Sequence, residues 1–309
     1  MKMLITGGAG FIGSHVCEFY AQRNYEIFVV DNLSSSNLEN IMHIENLTFY
    51  QKDVSDCDFM EQLIKEHDFD YVIHLAALVS VAESIAHPKI SLKNNLEASL
   101  NLLINLRKHS KKLKKALFAS SAAVYGNLEK LPKAPEDQVL PQSPYAIDKY
   151  AAERNFIIFN ELFGLPTTVL RFFNVYGERQ NDSSPYSGVI SIMLHKFKHD
   201  EKFIFFGDGT QTRDFVYIAD VIQAINLVLM HEEATGEVYN VGTGHQTSLK
   251  EIFDVFSEIS KIDLEFEHQD ARKGDIKYSY AEIDKLSHLG YTPQFDIHSG
   301  LNNLYKKMQ

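Results

Sequence analysis

Short apolar runs alternate with longer amphipathic segments along the first 130 residues of the chain. The runs are almost wholly apolar, as in strands covered on both faces of a sheet, and they predict strands over 3–6, 26–30, 47–50, 71–75 and 115–119. The amphipathic segments predict helices over 11–24, 59–66 and 91–109. Strands separated by helices need right-handed crossovers, so this order predicts an α/β fold with a doubly wound, parallel, Rossmann-like sheet.

The second half of the chain follows the same pattern less strictly. A helix over 145–163 and a strand over 167–173 continue the alternation, which then loosens. The polar segment 177–188 is rich in Asn, Ser and Pro and predicts a long loop. Three later elements are predicted, namely a helix over 218–231, a strand over 237–241 and a helix over 249–260.

These elements predict two domains. The chain is 309 residues long, roughly twice the length of a typical domain. We predict a nucleotide-binding domain over 1–173 that regains a helix and a strand near 217–243. A smaller C-terminal α/β domain, over 174–216 and 244–309, is left for the substrate.

Composition and charge narrow the class of protein. Lys and Arg number 30 and Asp and Glu 41, and the resulting net charge of −11 argues against a nucleic acid or an anionic membrane as the partner. The longest apolar stretch, 71–82, is far shorter than the ~20 residues that span a bilayer. Two cysteines make no disulfide framework, and the first residues lack a signal peptide's cleavage region. We therefore expect a cytoplasmic enzyme without a metal site.

A glycine-rich turn, T-G-G-A-G-F-I-G over 6–13, joins the first predicted strand to the first helix. Gly7 permits a tight turn, Gly10 lets the backbone approach a pyrophosphate, and Gly13 lets the helix pack closely on the sheet. Free amides at the helix N-terminus then face the phosphates. Asp31 ends the second strand, where a carboxylate accepts hydrogen bonds from both ribose hydroxyls and repels a 2′-phosphate. The motif predicts a bound dinucleotide and favours NAD over NADP.

A second motif, S-P-Y-A-I-D-K over 143–149, carries candidate acid/base chemistry. Ser143 suits a helix N-cap, and Tyr145 and Lys149, four residues apart, then lie on one helix face. A phenol with a pKa near ~10 is a poor base at neutral pH, but a neighbouring lysine and an oxidised nicotinamide favour the phenolate. Ser121 ends a buried strand, where parallel sheets bind ligands, and can hold the hydroxyl that Tyr145 deprotonates. We predict these three as catalytic residues: Ser121, Tyr145 and Lys149.

Together these motifs resemble the extended short-chain dehydrogenase/reductases that act on nucleotide sugars, and most closely the UDP-hexose 4-epimerases of the NAD-dependent epimerase/dehydratase family. The resemblance also covers H-L-A-A over 74–77 and R-F-F-N-V-Y-G over 171–177. It implies NAD as the cofactor and a UDP-sugar as the substrate. The family's central asparagine corresponds to Asn94 or Asn95, of which we assign Asn94. The implied cofactor contacts are Gly7, Gly10, Phe11, Ile12, Gly13, Asp31, Asn32, Ser35, Asp53, Val54, Leu75, Ala76, Ala77, Val79, Asn94, Tyr145, Lys149 and Phe173.

The same resemblance implies residues that contact the substrate. Asn174 is similar to the residue that contacts the diphosphate, and the segments 205–209 and 211–214 are similar to the family's uridine and phosphate segments. Two arginines, Arg213 and Arg272, can neutralise a diphosphate. The implied contacts are Ser80, Ser121, Tyr145, Asn174, Val189, Phe205, Phe206, Arg213, Arg272, Asp275 and Ser279.

The implied reaction is epimerisation at C4 of the sugar. NAD takes the C4 hydrogen while Tyr145 accepts the O4 proton and Ser121 holds that oxygen; the 4-keto sugar then turns over and regains the hydride on its other face. Dehydratases of this family look like Thr-Asp-Glu before Val-Tyr-Gly, where the Asp and Glu supply the acid and base for elimination. In this chain the two residues after Ser121 are Ala122 and Ala123, whose methyl groups can move no proton. A 4-reductase, an unusual dehydratase and a UDP-glucuronate epimerase stay open as alternatives, and a non-catalytic NAD-binding module is a remote one.

Ser279, four residues after Asp275, bears on which sugar the site accepts. In similar 4-epimerases this position faces the C2 substituent, where a tyrosine restricts the site to a hydroxyl. A serine leaves room for an N-acetyl group, which favours UDP-N-acetylglucosamine and UDP-N-acetylgalactosamine and leaves UDP-glucose and UDP-galactose open as further substrates. Tyr278 and Tyr280 flank Ser279, so a shift of one residue reverses this prediction.

The resemblance also implies a homodimer. The predicted helices over 91–109 and 145–163 carry apolar residues beyond one core-facing stripe, including Leu100, Leu103, Phe156 and Phe159. In this family such helices form a four-helix interface between two copies of the chain.

Overall fold

The chain divides into two compact units in the computed structural model, which describes residues 1–180, 188–271 and 276–307. Residues 127–138 lie within the predicted nucleotide-binding range 1–173, but they group with the second of these units. The first unit comprises Met1–Gly126, Val139–Arg171 and Ala224–Tyr239, and the second comprises Asn127–Gln138, Phe172–Gln223 and Asn240–Gln309.

The strands and helices are numbered separately in chain order. The strands are β1 (Lys2–Thr6), β2 (Glu26–Asp31), β3 (Leu47–Gln51), β4 (Tyr71–His74), β5 (Lys115–Ser121), β6 (Thr167–Phe172), β7 (Asn174–Tyr176), β8 (Phe203–Phe206), β9 (Thr212–Arg213), β10 (Phe215–Tyr217), β11 (Val238–Val241), β12 (Thr247–Ser248) and β13 (Phe266–Gln269). The helices are α1 (Phe11–Ala21), α2 (Cys57–His67), α3 (Val81–Ala86), α4 (Pro88–Ser91), α5 (Ala98–His109), α6 (Pro144–Phe163), α7 (Val189–His199), α8 (Ile218–Met230), α9 (Leu249–Ser260), α10 (Asp284–Ser287) and α11 (Ile297–Lys307).

A seven-stranded sheet has the order β11-β6-β5-β4-β1-β2-β3. The pairs β1–β2, β2–β3, β1–β4 and β4–β5 are parallel, with Thr6 of β1 opposite both Val30 and His74. The chain leaves β3 at one edge and returns as β4 on the other side of β1, so the order reverses beside β1. Ligands bind at such a reversal in doubly wound sheets. The predicted fold class is confirmed.

The hydrophobic core of the first unit corrects one expectation about the helices. Leu103 and Phe156 are fully buried, Phe159 is nearly so, and Leu100 packs against the same cluster of core side chains. The assignment of these four residues to a face beyond the core was therefore wrong, because their side chains lie in the core or pack against it. The exposed apolar residues of these two helices are instead Ile104, Ile147, Ile158, Leu162 and Phe163.

The second unit is built around short strand pairs and an aromatic core. β7 pairs with β10 and β8 with β13 in parallel, and β9 pairs with β12 antiparallel. Phe197 on α7 packs against Phe253 and Phe256 on α9, and Phe203 on β8 packs against Phe253. Across both units, no helix among the described residues is long and apolar enough to cross a bilayer.

Candidate active site

The glycine-rich turn after β1 is closely packed at Gly7 and Gly13 and open at Gly10. Gly7 has a φ of +72°, and a Cβ there would lie 2.7 Å from the backbone nitrogen of Ala76. A Cβ on Gly13 would lie 2.2 Å from the carbonyl oxygen of Gly7, so the turn and the helix touch closely. A Cβ on Gly10, the N-cap of α1, would meet only the Gly7 carbonyl oxygen, at 3.3 Å. Because Gly10 has no side chain to cap the first amides, these amides suit a pyrophosphate.

Asp31, at the end of β2, is held beside this turn. Its Oδ2 accepts a hydrogen bond from the Ala9 N–H at 3.0 Å. Its Oδ1 accepts from the Leu33 N–H at 2.9 Å and from the Ser36 hydroxyl at 2.6 Å. The carboxylate is therefore fixed where the ribose of an adenosine would lie next to the turn. Ser36, to which the sequence analysis gave no role, helps to hold Asp31, and Ser35 stays a predicted cofactor contact.

A second carboxylate near the cofactor residues is Asp53. Asn32 Nδ2 donates to Asp53 Oδ2 at 2.8 Å, and the Ser55 N–H donates to Oδ1 at 2.8 Å. Burial opposes the charged form, but the hydrogen bonds from Ser55 and Asn32 hold the pKa of Asp53 below its usual value. The structure thus joins two of the predicted cofactor contacts, Asn32 and Asp53, and leaves Val54 buried after them.

The loop after β4 is held by Asn95. This side chain accepts from the Leu78 N–H at 2.8 Å and donates to the Leu78 carbonyl at 3.1 Å. It lies in a π-helical turn, Leu92–Glu97, that joins α4 to α5. The structure therefore gives Asn95 the task of holding this loop, and the half-buried Asn94 stays the predicted cofactor contact. In the same loop Leu75, Ala76 and Ala77 are half-buried, Val79 is exposed, and Ser80 caps α3.

His74 links this loop to the first strand. Its Nδ1 lies 2.7 Å from the Thr6 hydroxyl and its Nε2 lies 2.9 Å from the Ser99 hydroxyl. Ser99 donates to the carbonyl of Asn95, so it accepts from Nε2–H of the histidine. Burial, together with the charge of Lys149, lowers the pKa of His74 to about 3. The ring is a neutral structural link and not an acid or base at neutral pH.

The predicted catalytic residues meet at the start of α6 and the end of β5. The Ser143 hydroxyl caps α6 by accepting from the Ala146 N–H at 3.2 Å, and Pro144 is the first helical residue. The side chains of Tyr145 and Ser121 are hydrogen-bonded to each other. Lys149 Nζ donates to the carbonyl of Ala119 at 2.8 Å. All three predicted residues are brought together within the first unit.

Burial dominates the electrostatics of this cluster. It raises the pKa of Tyr145 above its ordinary value, and the hydrogen bond with Ser121 opposes the rise. Burial also lowers the pKa of Lys149 to about 7. The sequence analysis expected the lysine to favour the phenolate. The chain alone does not do so, because removing both groups from water disfavours the charged form of each.

The end of β5 turns sharply after Ser121. The Ser121 hydroxyl accepts from the Ala123 N–H at 3.2 Å and starts a 3₁₀ turn over Ala122–Tyr125. Gly126 follows with a φ of +57°, and a Cβ there would lie 2.0 Å from the carbonyl oxygen of Leu140. The two alanines after Ser121 add no acid or base to this turn.

The predicted substrate residues of the second unit differ in accessibility. Asn174 is exposed, Val189 begins α7, and Phe206, Arg213 and Ser279 are half-buried. The predicted cofactor contact Phe173 is buried, and its N–H donates to the Val241 carbonyl at 3.0 Å. Arg272 and Asp275 lie outside the residues that the structure describes.

Phe205 departs from its predicted role as a uridine contact. It is 1% exposed, and its ring lies 4.8 Å from Phe203, 5.4 Å from Phe253 and 5.4 Å from His268, centroid to centroid. The side chain therefore belongs to the aromatic core of the second unit.

Two polar residues that the sequence analysis missed hold parts of the predicted site. The Ser84 hydroxyl accepts from the Tyr145 N–H at 3.2 Å and donates to the Val81 carbonyl at 2.6 Å. Asp214 accepts from the Thr243 N–H at 2.7 Å and from the Ala281 N–H at 3.1 Å. Ser84 stands out by neither periodicity nor motif, and Asp214 lies in the 211–214 segment but was given no role of its own. The contacts of Ser84 with Tyr145 and of Asp214 with Thr243 and Ala281 join segments distant in sequence.

One pair of histidines lies one turn apart on α7. The rings of His195 and His199 have centroids 4.2 Å apart. Within the described ranges, no group of three or more His, Cys, Asp or Glu side chains could hold a metal ion.

Comparison with known proteins now identifies the family. Residues 3–242 match the model of the NAD dependent epimerase/dehydratase family, and the chain belongs to that family. A protein of Methanocaldococcus jannaschii named putative UDP-glucose 4-epimerase is 37% identical over 308 residues, which cover 99% of this chain and 98% of that protein. The resemblance inferred from the sequence is confirmed.

Two solved structures are similar over nearly their whole length. The UDP-glucose 4-epimerase of Thermotoga maritima, solved with UDP-glucose, has a TM-score of 0.95 and 37% identity, covering 100% of this chain and 98% of that one. The UDP-N-acetylglucosamine 4-epimerase of Methanobrevibacter ruminantium, solved with UDP-N-acetylmuramic acid, has a TM-score of 0.94 and 36% identity, covering 99% and 97%. The protein is an NAD-dependent nucleotide-sugar epimerase that uses NAD as its cofactor and a UDP-sugar as its substrate.

Proposed function

We propose that this epimerase interconverts UDP-N-acetylglucosamine and UDP-N-acetylgalactosamine, and that UDP-glucose and UDP-galactose are further substrates. The observation that carries the proposal is the small side chain of Ser279, which is half-buried. Its segment is tied down on both sides, since the Thr212 N–H donates to the Lys277 carbonyl at 2.9 Å and the Ala281 N–H donates to Asp214. A fixed serine leaves space for an N-acetyl group that a tyrosine would fill. The similarity to a UDP-N-acetylglucosamine 4-epimerase supports the same choice.

In the proposed mechanism Tyr145 moves the proton and Ser121 orients the oxygen. NAD, when bound, would supply the redox chemistry at C4 of the sugar. Tyr145 accepts the O4 proton as the 4-keto sugar forms and returns it after the sugar has turned over. Ser121 already bonds to the Tyr145 phenol and so can share that phenol with O4. The methyl groups of Ala122 and Ala123 leave this route without the acid and base that elimination requires.

The raised pKa of Tyr145 adds a condition to this mechanism. Burial disfavours the phenolate, and Lys149 carries only a partial charge at neutral pH because its own pKa is lowered to about 7. We propose that Tyr145 becomes an effective base when the positive charge of an oxidised nicotinamide lies beside it. The acid/base step is then coupled to the presence of the oxidised cofactor.

The remaining predicted roles divide between the two units. We propose that the first unit holds NAD through the glycine-rich turn and Asp31, and that the second unit binds the UDP-sugar. Asn174 and Arg213 are the described residues proposed to contact the diphosphate. The amide of Asn174 can donate hydrogen bonds to the diphosphate, and the guanidinium of Arg213 can neutralise its charge.

We also propose a cytoplasmic homodimer. The exposed apolar side chains Ile104 on α5 and Ile158, Leu162 and Phe163 on α6 support the dimer, with Leu162 67% exposed. Two copies that pair through these helices would bury side chains that are otherwise in contact with water. The residues that carry the interface in this proposal differ from those expected from the sequence.

The experiment measures epimerisation of three UDP-sugar pairs by NMR: the N-acetylhexosamines, the hexoses and the hexuronates. Wild type should turn over the N-acetyl pair. Ser279→Tyr should lower kcat/KM for the N-acetyl pair by about 10²-fold while the hexose pair is kept, because a bulky ring fills a pocket sized for the larger group.

A control variant tests the register of this segment. Tyr278→Ser changes the neighbouring residue, whose side chain is 44% exposed, and should leave the preference unchanged. An unchanged preference in Ser279→Tyr, or a preference that moves with residue 278 instead, would contradict the proposed substrate.

A further inference from the structure

Three consecutive residues at the end of β5 are hydrogen-bonded to three residues of α6. The α6 residues are spaced by four and therefore share one face of the helix. The strand end is thus joined to the catalytic face of α6 over two helical turns. The bonded pairs are the Ser121 and Tyr145 side chains, the Ala119 carbonyl with Lys149 Nζ at 2.8 Å, and Ser120 Oγ with Glu153 Oε2 at 2.7 Å.

Glu153 is also half of a buried ion pair. Arg171 on β6 donates from Nε to Oε2 at 3.0 Å and from Nη2 to Oε1 at 2.6 Å, a two-pronged arrangement. The exposed fractions are 1% for Glu153 and 4% for Arg171. Burial alone would lower the pKa of Arg171, but the hydrogen bonds and charge of Glu153 raise it, so the guanidinium stays protonated.

The ion pair is hydrogen-bonded to one residue before Ser121 in the sequence and to one residue after it. Glu153 accepts from Ser120, the residue before Ser121. Arg171 donates from Nη1 to the phenol of Tyr125 at 2.8 Å, and its guanidinium lies 4.8 Å from the centre of that ring. Tyr125 ends the 3₁₀ turn that begins after Ser121. Ser121 therefore sits between two residues that are both bonded to the same buried charges.

Stability alone does not account for such a pair. Removing two charges from water costs several kcal/mol each, and apolar residues of similar volume are often as stabilising or more so. In some proteins a buried pair instead restricts the segments that it joins to one arrangement. Here those segments are β5, the turn after it, α6 and β6.

We propose that Glu153 and Arg171 are positioning residues of this epimerase, and that the buried pair fixes the Ser121 hydroxyl against the phenol of Tyr145 by holding Ser120 and Tyr125. The proposal rests on the acid/base roles proposed for Ser121 and Tyr145. Neither charged residue contacts the sugar in this scheme, and each acts through the strand end.

The first test is Glu153→Gln, which keeps the size of the side chain and removes its charge. We expect kcat to fall about 10- to 100-fold while KM and the amount of bound NAD stay within about 2-fold, because a displacement of about 1 Å at the reacting groups costs up to about 10²-fold in rate. Lys115→Met is the matched control at the other end of the same strand. Lys115 is 3% exposed and its Nζ donates to the His231 carbonyl at 2.8 Å and the Thr235 hydroxyl at 2.6 Å. It should lose stability with kcat unchanged.

A double-mutant cycle asks whether Glu153 acts through Ser121. If it does, Ser121→Ala and Ser121→Ala with Glu153→Gln should have kcat values within about 3-fold of each other, since neighbouring groups that act together are not additive. The proposal is overturned if the two losses multiply, or if Glu153→Gln lowers kcat no more than Lys115→Met does at equal folded fraction.

If Glu153→Gln does not fold, a milder variant tests the positioning role instead. Ser120→Ala removes only the hydrogen bond to Glu153, and we expect kcat to fall about 3- to 10-fold at unchanged KM. An unchanged kcat in this variant overturns the proposal. Failure of the proposed function looks different, because wild type would then not turn over the N-acetyl pair.

Discussion

Alanine substitutions at two glycines of the cofactor turn should have separable effects on folding and on NAD binding. At residue 13 the new Cβ would lie 2.2 Å from the Gly7 carbonyl oxygen and 2.7 Å from the Gly8 Cα, about 1.2 Å short of ordinary contact. Both neighbours are backbone atoms, so the turn or the helix must move. Overpacking of this kind costs about 1–3 kcal/mol, which the higher helix propensity of alanine offsets by about 1 kcal/mol.

Gly10→Ala should behave differently because the folded chain has room for it. The nearest atom to its Cβ would be the Gly7 carbonyl oxygen at 3.3 Å, and its φ of −76° and ψ of −178° suit an alanine. We expect the apo protein to change in stability by less than about 0.5 kcal/mol. The methyl group would occupy the approach to the first amides of α1, so NAD should bind about 10- to 100-fold more weakly, equivalent to about 1.4–2.8 kcal/mol.

The assay measures NAD per protomer in gel-filtered protein after denaturation, and the melting temperature of protein stripped of NAD. Gly13→Ala should lower the apo melting temperature by about 2–6 °C and lose NAD. Gly10→Ala should lose NAD at an unchanged apo melting temperature. If Gly10→Ala keeps NAD at the wild-type level, or Gly13→Ala matches wild type in both measurements, our account of this turn is wrong.

Three further predictions address catalysis, pH dependence and assembly. Tyr145→Phe should lower turnover by about 10²- to 10⁴-fold while NAD and UDP still bind; loss of NAD binding would contradict the role of the phenol. His74 stays neutral when folded, since its pKa is about 3, but is protonated below about pH 6.5 when unfolded. Its contribution to stability is therefore present above pH 6.5 and lost as the pH falls toward 3, by about 2 kcal/mol at pH 5, and urea unfolding at pH 5 and 7 should show a smaller difference in His74→Gln. Leu162→Glu should convert the dimer to monomers in light scattering, and a monomeric wild type would refute the proposed interface.

Much of the first unit could be predicted because its signals are local. Gly7 directly follows β1, Gly13 lies in the first turn of α1 and Asp31 ends β2, so these three residues mark the predicted cofactor turn. Ser143 and Pro144 mark the start of α6. Such features depend on a few adjacent residues, which a single sequence contains in full.

The hydrogen bonds of Asn95 to Leu78 show what local reasoning does not reach. An ordinary α-helix over 91–109 gives no reason to prefer Asn95 to its neighbour. The π-helical turn Leu92–Glu97 changes the phase of the helix there, and Asn95 is the residue that reaches Leu78. A change of phase of this kind leaves no mark on the apolar pattern.

The short strands of the second unit and the buried ion pair were beyond prediction for another reason. Strands such as Thr212–Arg213 and Thr247–Ser248 are too short to show periodicity, and they exist because each pairs with the other. Phe205 matched a substrate motif, yet its side chain packs in the aromatic core of its unit. Glu153 and Arg171 meet only once α6 and β6 are packed together.

The three hydrogen bonds that Asp31 accepts have a consequence for coenzyme choice. They immobilise the carboxylate during folding, so binding the ribose of NAD loses no further rotamer entropy at this side chain. Replacing Asp31 to admit a 2′-phosphate would also leave the Ala9 and Leu33 amides and the Ser36 hydroxyl without their acceptor. With Asp31 as the proposed ribose contact, the preference for NAD is part of how the loop folds, and a single substitution that reverses it would first have to rebuild that loop.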